Sequence, residues 1–366
     1  MNSNVPEKRK ISPFLLFFLI HSMQVGVGIL GFQRIIAESA GYDAWMSIIL
    51  TGLMVHIILW MMFKMLKIAD GDLTSIHTFV FGKKVGKILS SIFILYFCLF
   101  SVTVLRSYIE IVQVWMFPEL ETFWFAFAFL LLVIYITYGG FRTVTGIAFF
   151  SVILPFYIAL LFVIIIPYSD YTNLLPIFDH SVKELLLASR DMSFTVIGFE
   201  TLLFYYPFIQ KPEKSEKWAH FGALFTTLFY TYLAVLAYGY FSEAQLQKNV
   251  WPTLAMWKVI TLPFVERFEY IGIANWSLVI LPNICICVWC ASRLTKQLTS
   301  IRQKTSVPFI AILCLIATSL ISTREQINIL TDTTAKVGFY FNIIYVPLLF
   351  CGTLIAKKVR NRGTPM

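Results

Sequence analysis

The sequence predicts an all-α integral membrane protein with ten transmembrane helices, and three observations support this fold class. Of the 366 residues, 58% are hydrophobic and only 13% are charged, whereas soluble domains carry about 25% charged residues. Ten apolar stretches each approach the roughly 20 residues that a helix needs to cross a bilayer. The alternation of apolar and polar residues that is typical of strands is absent from these stretches.

The ten predicted spans follow one another without a long polar linker, so we expect one helical domain. They lie roughly over residues 12–33, 43–66, 87–115, 122–138, 144–167, 186–208, 218–241, 264–290, 306–322 and 335–356. This divides the chain into an N-terminal tail (1–11), a transmembrane domain (12–356) and a basic C-terminal tail (357–366). The first span follows three basic residues, as a signal peptide does, but it contains Gln24 and three glycines, and we expect it to be retained.

The distribution of lysine and arginine predicts that both termini are cytoplasmic. An even number of spans places the two termini on one side, and 20 of the 29 Lys and Arg residues fall on that side. Eight fall on the other side, and Arg106 lies within span three. Cytoplasmic loops carry the excess of positive charge. This asymmetry accounts for the net charge of +9, so we expect no nucleic-acid binding.

Two of the spans are interrupted near their middle by glycine or polar residues. Span one contains the run from Gln24 to Gly31 (QVGVGILG), and span six contains the run from Ile197 to Thr201 (IGFET). Spans one and six hold the same position in two successive sets of five. This spacing predicts an inverted five-plus-five repeat (12–167 and 186–356) with broken helices 1 and 6 and a binding site at the membrane midplane.

Such breaks suit a small zwitterion such as an amino acid. The amides at the start of a half-helix attract a carboxylate, and unwound carbonyls accept hydrogen bonds from an ammonium group. We expect the carboxylate near Gly26 to Gly28 and the ammonium near Ile197 to Phe199. The alternative is that these glycines only allow helices to pack closely.

Arg106, Glu110 and Glu200 are charged residues inside predicted spans, where charge is costly. Arg106 and Glu110 are four residues apart on span three, so they share a helix face and are expected to form an ion pair, either structural or gating. Glu200 has no obvious partner in the sequence. We expect it to act as a proton acceptor, as a cation contact or as a cap of span six.

The sequence contains no recognisable catalytic motif, and we expect neither an enzyme nor a cofactor nor a metal site. The spacing of Gly26, Gly28 and Gly31 matches the dinucleotide-binding pattern, but here it interrupts a membrane span instead of joining a strand to a helix. Cys285, Cys287 and Cys290 cannot converge on one ion from a helix.

In order and spacing, these motifs resemble those of the B subunits of spore germinant receptors. The resemblance rests on the two glycine motifs, on Arg106 to Glu110, on Trp251-Pro252-Thr253 and on Glu266-Arg267-Phe268-Glu269. That family belongs to the amino acid/polyamine/organocation transporter superfamily and has a ten-helix inverted-repeat fold. The resemblance implies a subunit of the inner membrane of dormant spores. It would act beside an A subunit and a lipoprotein C subunit and bind a nutrient, such as an amino acid or a sugar, that starts germination.

The resemblance also implies which residues line the binding pocket. These are Gly26, Val27, Gly28, Tyr96, Phe100, Thr103, Ile197, Gly198, Phe199, Asn283 and Ile284, and Glu200 joins them from the second break. The chain departs from the family where a Leu-Pro pair follows the first glycine motif, because it has Phe32-Gln33 there. Proline would end the outer half-helix. We therefore expect the outer vestibule to differ in shape.

A second function stays open, namely a secondary transporter that moves an amino acid together with a proton by alternating access. Glu200 could carry the proton, whereas no convincing set of Ser, Thr and Asp residues for Na⁺ is apparent. A purely structural membrane scaffold is the third alternative. It predicts that substitutions at both breaks alter only the amount of protein.

Overall fold

The computed structural model describes residues 5–261, 263 and 265–362. The outermost four residues of each predicted tail, 1–4 and 363–366, lie outside this part of the chain. Within it, helices account for nearly all regular structure, and one isolated parallel bridge joins Ile11 to Ile209. The predicted all-α fold class is confirmed.

Sixteen α-helices are found in the described residues. They are α1 Leu15–Gln24, α2 Phe32–Ala40, α3 Ala44–Ala69, α4 Leu73–Trp115, α5 Thr122–Tyr138, α6 Phe141–Ile153, α7 Phe156–Leu161, α8 Val182–Thr195, α9 Leu202–Tyr205, α10 Glu216–Tyr240, α11 Glu243–Lys248, α12 Pro252–Trp257, α13 Phe268–Leu298, α14 Gln303–Leu320, α15 Arg324–Tyr340 and α16 Val346–Arg362.

Joined across their breaks, these helices form ten spans in the predicted order. Span one is α1 with α2, span five is α6 with α7, span six is α8 with α9, and span ten is α15 with α16. The remaining spans are single helices, namely α3, α4, α5, α10, α13 and α14. Seven helical stretches are long and apolar enough to cross a membrane by length and composition, and α1 and α5 are shorter apolar helices.

Several predicted boundaries differ from the structure, among them the end of span one at Ala40 and the end of span eight at Leu298. Span ten begins at Arg324, eleven residues before the predicted start at 335, because Thr323 and Gln326 form a capping box. Within α4, a short separate helix over residues 73–81 precedes span three, because the backbone leaves the helical conformation at Gly82, where φ is +77°. Glycine adopts such a positive φ with little strain. Nδ1 of His77 lies 2.8 Å from Oγ of Ser90, so this helix folds back against the start of span three.

Helix α13 lies at the centre of the bundle. Every residue from Val279 to Ser292 is buried, and the helix packs against α4, α6, α14 and α5. The central position of α13 brings Asn283 against the break in span one.

Candidate functional site

Span one is interrupted where the sequence predicts a break. Helix α1 ends at Gln24, and Val25 has the extended angles φ −110° and ψ 109°. A short 3₁₀ turn over Gly28–Leu30 then leads into α2. The amides of residues 26 to 28 therefore leave the helical hydrogen-bond ladder in the middle of the span.

Span six is interrupted between Thr195 and Leu202, and the turning point is Gly198, with φ +110°. A side chain at Gly198 would place its Cβ atom 2.7 Å from the carbonyl oxygen of Met23 in span one. A Cβ atom on Gly28 would lie 2.8 Å from Cγ2 of Thr195. The two breaks therefore pack directly against each other. Glycine is required at Gly198, where φ is positive and the neighbour is backbone, whereas a side chain at Gly28 would displace the side chain of Thr195.

Side chains from other spans bind several of the carbonyl groups that the first break releases. Nδ2 of Asn283 donates to the carbonyl oxygen of Ser22 at 3.0 Å, and the hydroxyl of Tyr230 donates to that of Gln24 at 2.9 Å. Nε1 of Trp276 donates to the carbonyl oxygen of Gly26 at 3.1 Å. These contacts hold the irregular backbone in place, as membrane-embedded breaks require.

The amide groups of the first break have a different environment. Among the described residues, no acceptor forms a hydrogen bond with the N–H groups of Gly26, Val27 and Gly28. They stand at the start of the outer half of span one, where the helix dipole is positive. The break thus presents three free donors in a region that favours an anionic group.

A cavity of about 310 Å³ meets these amides, a volume within the usual range for small-molecule sites of roughly 300–1,000 Å³. Met23 in its wall is 2% exposed, whereas Ile35 and Val250 are each 41% exposed. The cavity therefore leads from the breaks to the surface on the side of Trp251. The predicted residues that line it are Gly26, Val27, Gly28, Phe100, Thr103, Ile197 and Asn283.

Five predicted residues do not line this cavity, namely Tyr96, Gly198, Phe199, Glu200 and Ile284. Glu200 is fully buried, and its Oε2 accepts hydrogen bonds from the amide of Gly198 at 2.7 Å and from Nδ2 of Asn342 at 3.1 Å. The hydroxyl of Tyr96 donates to Oε1. Of the three roles expected for Glu200, this geometry favours the cap of span six.

Polar residues of spans six and ten also line the cavity, and the sequence analysis did not select them. They are Asp191, Thr195, Asn328, Thr331, Asp332 and Thr334. Asn328, Thr331 and Asp332 are spaced three and four apart, which places them on one helix face. The capping box at Thr323 marks the start of α15 in the sequence, and it could have been used to predict that span ten includes the residues from 328 onwards. Oγ1 of Thr334 lies 2.6 Å from Oγ1 of Thr103.

The expected ion pair between Arg106 and Glu110 is replaced by two other contacts. Glu110 pairs with Arg324 at 2.7 Å, and the guanidinium of Arg324 lies 5.5 Å from the ring of Trp251. Arg106 donates instead to the carbonyl oxygens of Ile321 and Ser322 at 2.6 and 3.3 Å. These carbonyls follow the C-terminal end of α14, the negative end of its dipole, which attracts a cation. Both Glu110 and Arg324 line the cavity.

Phe32 and Gln33 lie inside α2, which continues to Ala40. Nε2 of Gln33 donates to Oγ1 of Thr253 at 2.7 Å, and Thr253 donates to the carbonyl oxygen of Ile29 at 2.9 Å. Gln33 is the second residue of α2, and because proline is tolerated in the first turn of a helix, a proline there would not shorten the outer half of span one. It is tied to the start of α12 by this pair of hydrogen bonds.

Comparisons with known proteins identify relatives over nearly the whole chain. A family model described as "Spore germination protein" matches residues 10–327. The chain is 42% identical over 357 residues to the spore germination protein GerQB of Bacillus cereus, which covers 98% of this chain and 99% of that relative. It is 25% identical to the spore germination protein GerLB of Bacillus cereus over 94% of each chain.

Two solved structures that share the fold are transporters. One is a nucleobase-cation-symport-1 family transporter in a closed conformation with bromovinylhydantoin bound, with a TM-score of 0.58, 13% identity and coverage of 98% of this chain and 94% of that one. Another is a manganese transporter of Eremococcus coleocola in complex with an aromatic bis-isothiourea substituted compound, with a TM-score of 0.56, 11% identity and coverage of 92% and 78%. At these identities the likeness shows a common fold alone.

Proposed function

The chain belongs to the family of spore germination proteins, and we propose that it is a B-type subunit of a germinant receptor that binds a small nutrient between its two broken spans. The observation that carries this proposal is the cavity of about 310 Å³ that meets the unpaired amides of Gly26, Val27 and Gly28. Packing explains why Gly28 and Gly198 are glycines. It does not explain Gly26, because a Cβ atom there would meet its nearest neighbour at an ordinary 3.6 Å.

An α-amino acid matches the chemistry of this cavity. Its carboxylate would accept hydrogen bonds from the amides of Gly26 to Gly28 at the positive end of the outer half-helix. Its ammonium group would lie near two acceptors that have no donor among the described residues, the carbonyl oxygen of Ile197 and Oδ1 of Asn283. Phe100 and Val104 provide apolar surface for the side chain.

The nutrient would enter from the outside of the membrane. With both termini in the cytoplasm, as the excess of Lys and Arg predicts, the mouth at Trp251 and Arg324 would face the opposite side. For a receptor of the spore inner membrane, this is the side that nutrients reach first. Binding would favour one packing of spans one and six over another, and this shift would reach an A subunit and a lipoprotein C subunit.

The test compares two threonines of span ten that are two residues apart in the sequence. Thr331 lines the cavity, whereas Thr333 is exposed and does not. Spores that carry Thr331→Leu should need about tenfold more amino acid for half-maximal germination, because the larger side chain fills the cavity. Spores with Thr333→Leu should respond like the parent strain. Equal responses of the two variants, at equal amounts of membrane-bound protein, would refute the proposed site.

The alternative of a proton-coupled amino acid transporter is supported by the two transporter structures that share the fold. Measured transport of the amino acid across the membrane distinguishes the transporter from the receptor. Uptake of labelled amino acids into vesicles that contain only this chain, driven by a proton gradient, would favour the transporter. Germination that depends on the chain without measurable uptake would favour the receptor.

A further inference from the structure

A second cavity lies beside the N-terminal segment that precedes span one. Its volume is about 500 Å³. Lys8 and Arg9 of the N-terminal segment line one wall, and Arg142, at the start of α6, lines another. It has no part in the nutrient site, because the two cavities share no lining residue.

Four further cations complete the wall. Arg293 and Lys296 come from the end of α13, and Arg302 and Lys304 come from the start of α14. No aspartate or glutamate belongs to the lining among the described residues. Seven basic side chains around one cavity repel one another, and this repulsion is relieved by a bound anion.

The floor of the cavity is aromatic and buried. Phe141, Phe208 and Trp289 are 4%, 7% and 2% exposed, and the guanidinium of Arg293 lies 5.1 Å from the ring of Phe208. Nε of Arg293 is a buried donor without an acceptor in the described part of the chain. Asp72 is close enough to influence Arg293, but its carboxylate already accepts from Gln297 and from the amide of Ser75.

We propose that this cavity binds a phosphate group, carried either by free phosphate or by the headgroup of an anionic phospholipid. A phosphate offers several acceptor oxygens to arginine side chains, which bind it in a two-pronged geometry. Basic pockets between membrane helices on the cytoplasmic side suit such headgroups. The bound group would join the segment before span one and the end of span six to α13 and α14.

The experiment uses the purified full chain in a neutral detergent and follows its thermal unfolding. Inorganic phosphate should raise the unfolding midpoint in a saturable manner when compared with chloride at equal ionic strength, because a ligand of the folded state stabilises it. Arg142→Gln combined with Arg293→Gln should raise the half-maximal phosphate concentration by about tenfold or more. The matched control, Lys357→Gln combined with Lys358→Gln, removes two exposed cations and should leave it unchanged.

The source of the phosphate is then distinguished in nanodiscs. Stabilisation by phosphatidylglycerol over phosphatidylcholine, lost in the Arg142 and Arg293 variant, identifies a lipid headgroup, and stabilisation by inorganic phosphate alone identifies a soluble ligand. Lys304→Gln, at an exposed position of the wall, replaces the double variant if that variant does not fold. The proposal would be overturned if phosphate stabilised the Arg142 and Arg293 variant as much as the Lys357 and Lys358 control. It would also be overturned if neither inorganic phosphate nor phosphatidylglycerol stabilised the parent chain.

Discussion

Neutralising Glu110 should have an effect that depends on Arg324 and not on Arg106. The ion pair of Glu110 with Arg324 closes at 2.7 Å beside the mouth of the cavity. Arg106, four residues from Glu110 on the same helix, donates to carbonyl groups at the end of α14 instead. A double-mutant cycle measures the coupling of each pair separately.

The expected magnitude follows from the distance and the exposure of the two side chains. At 2.7 Å the Coulomb energy is about 6 kcal/mol for an effective dielectric constant of 20 and about 1.5 kcal/mol in bulk water. The side chain of Arg324 is 49% exposed and that of Glu110 is 11% exposed, so solvent screens much of the attraction. We therefore expect a coupling of about 1–2 kcal/mol for this pair, above that of a surface ion pair and below that of a fully buried one.

The assay is unfolding of the purified chain in mixed micelles with an increasing fraction of denaturing detergent. One cycle combines Glu110→Gln with Arg324→Gln, and the second combines Glu110→Gln with Arg106→Gln. The second coupling should stay below about 0.5 kcal/mol, although Arg106→Gln alone is costly because it leaves the carbonyls of Ile321 and Ser322 without this donor. A coupling that is larger with Arg106 than with Arg324 would refute the pairing described here.

Three further substitutions test the breaks, each by the thermal unfolding of the purified chain. Gly28→Ala should destabilise it by about 1–3 kcal/mol, because the added methyl group would overlap a side chain of span six. The control Gly146→Ala, where a Cβ atom meets nothing within 4 Å, should gain about 0.5–1 kcal/mol. Glu200→Gln should cost about 1–3 kcal/mol, because its amide cannot accept from all the donors that surround the carboxylate, and unchanged stability would exclude a capping role. Thr253→Val should lower the stability by about 1–3 kcal/mol, because it leaves the amide of Gln33 without its acceptor. Thr253→Ser keeps the hydroxyl and should therefore retain the stability of the parent chain.

Much of the fold was predictable because the signals that specify it are local. A run of apolar residues specifies a membrane helix wherever it lies in the chain. The glycines around Gly26 and Gly198 likewise interrupt their helices through their own conformational freedom and their neighbours' polarity. The start of span ten was missed because its first turns are polar, although the capping box at Thr323 marks that start.

The composition of the candidate site was only partly predictable. Seven of the expected residues line the cavity, and Glu200 and Tyr96 form a separate buried cluster with Asn342. Sequence motifs show which residues belong to a broken span. They do not show on which side of the break each side chain lies.

The sequence by itself determined the number of spans, the positions of the two breaks and the asymmetry of positive charge. The tertiary structure alone decided which polar groups meet. Arg324 reaches Glu110 and Trp276 reaches the carbonyl oxygen of Gly26 across long stretches of chain. The physical reason is that hydropathy and backbone conformation act within a few residues, whereas buried polar groups take their partners from whichever helix packs beside them.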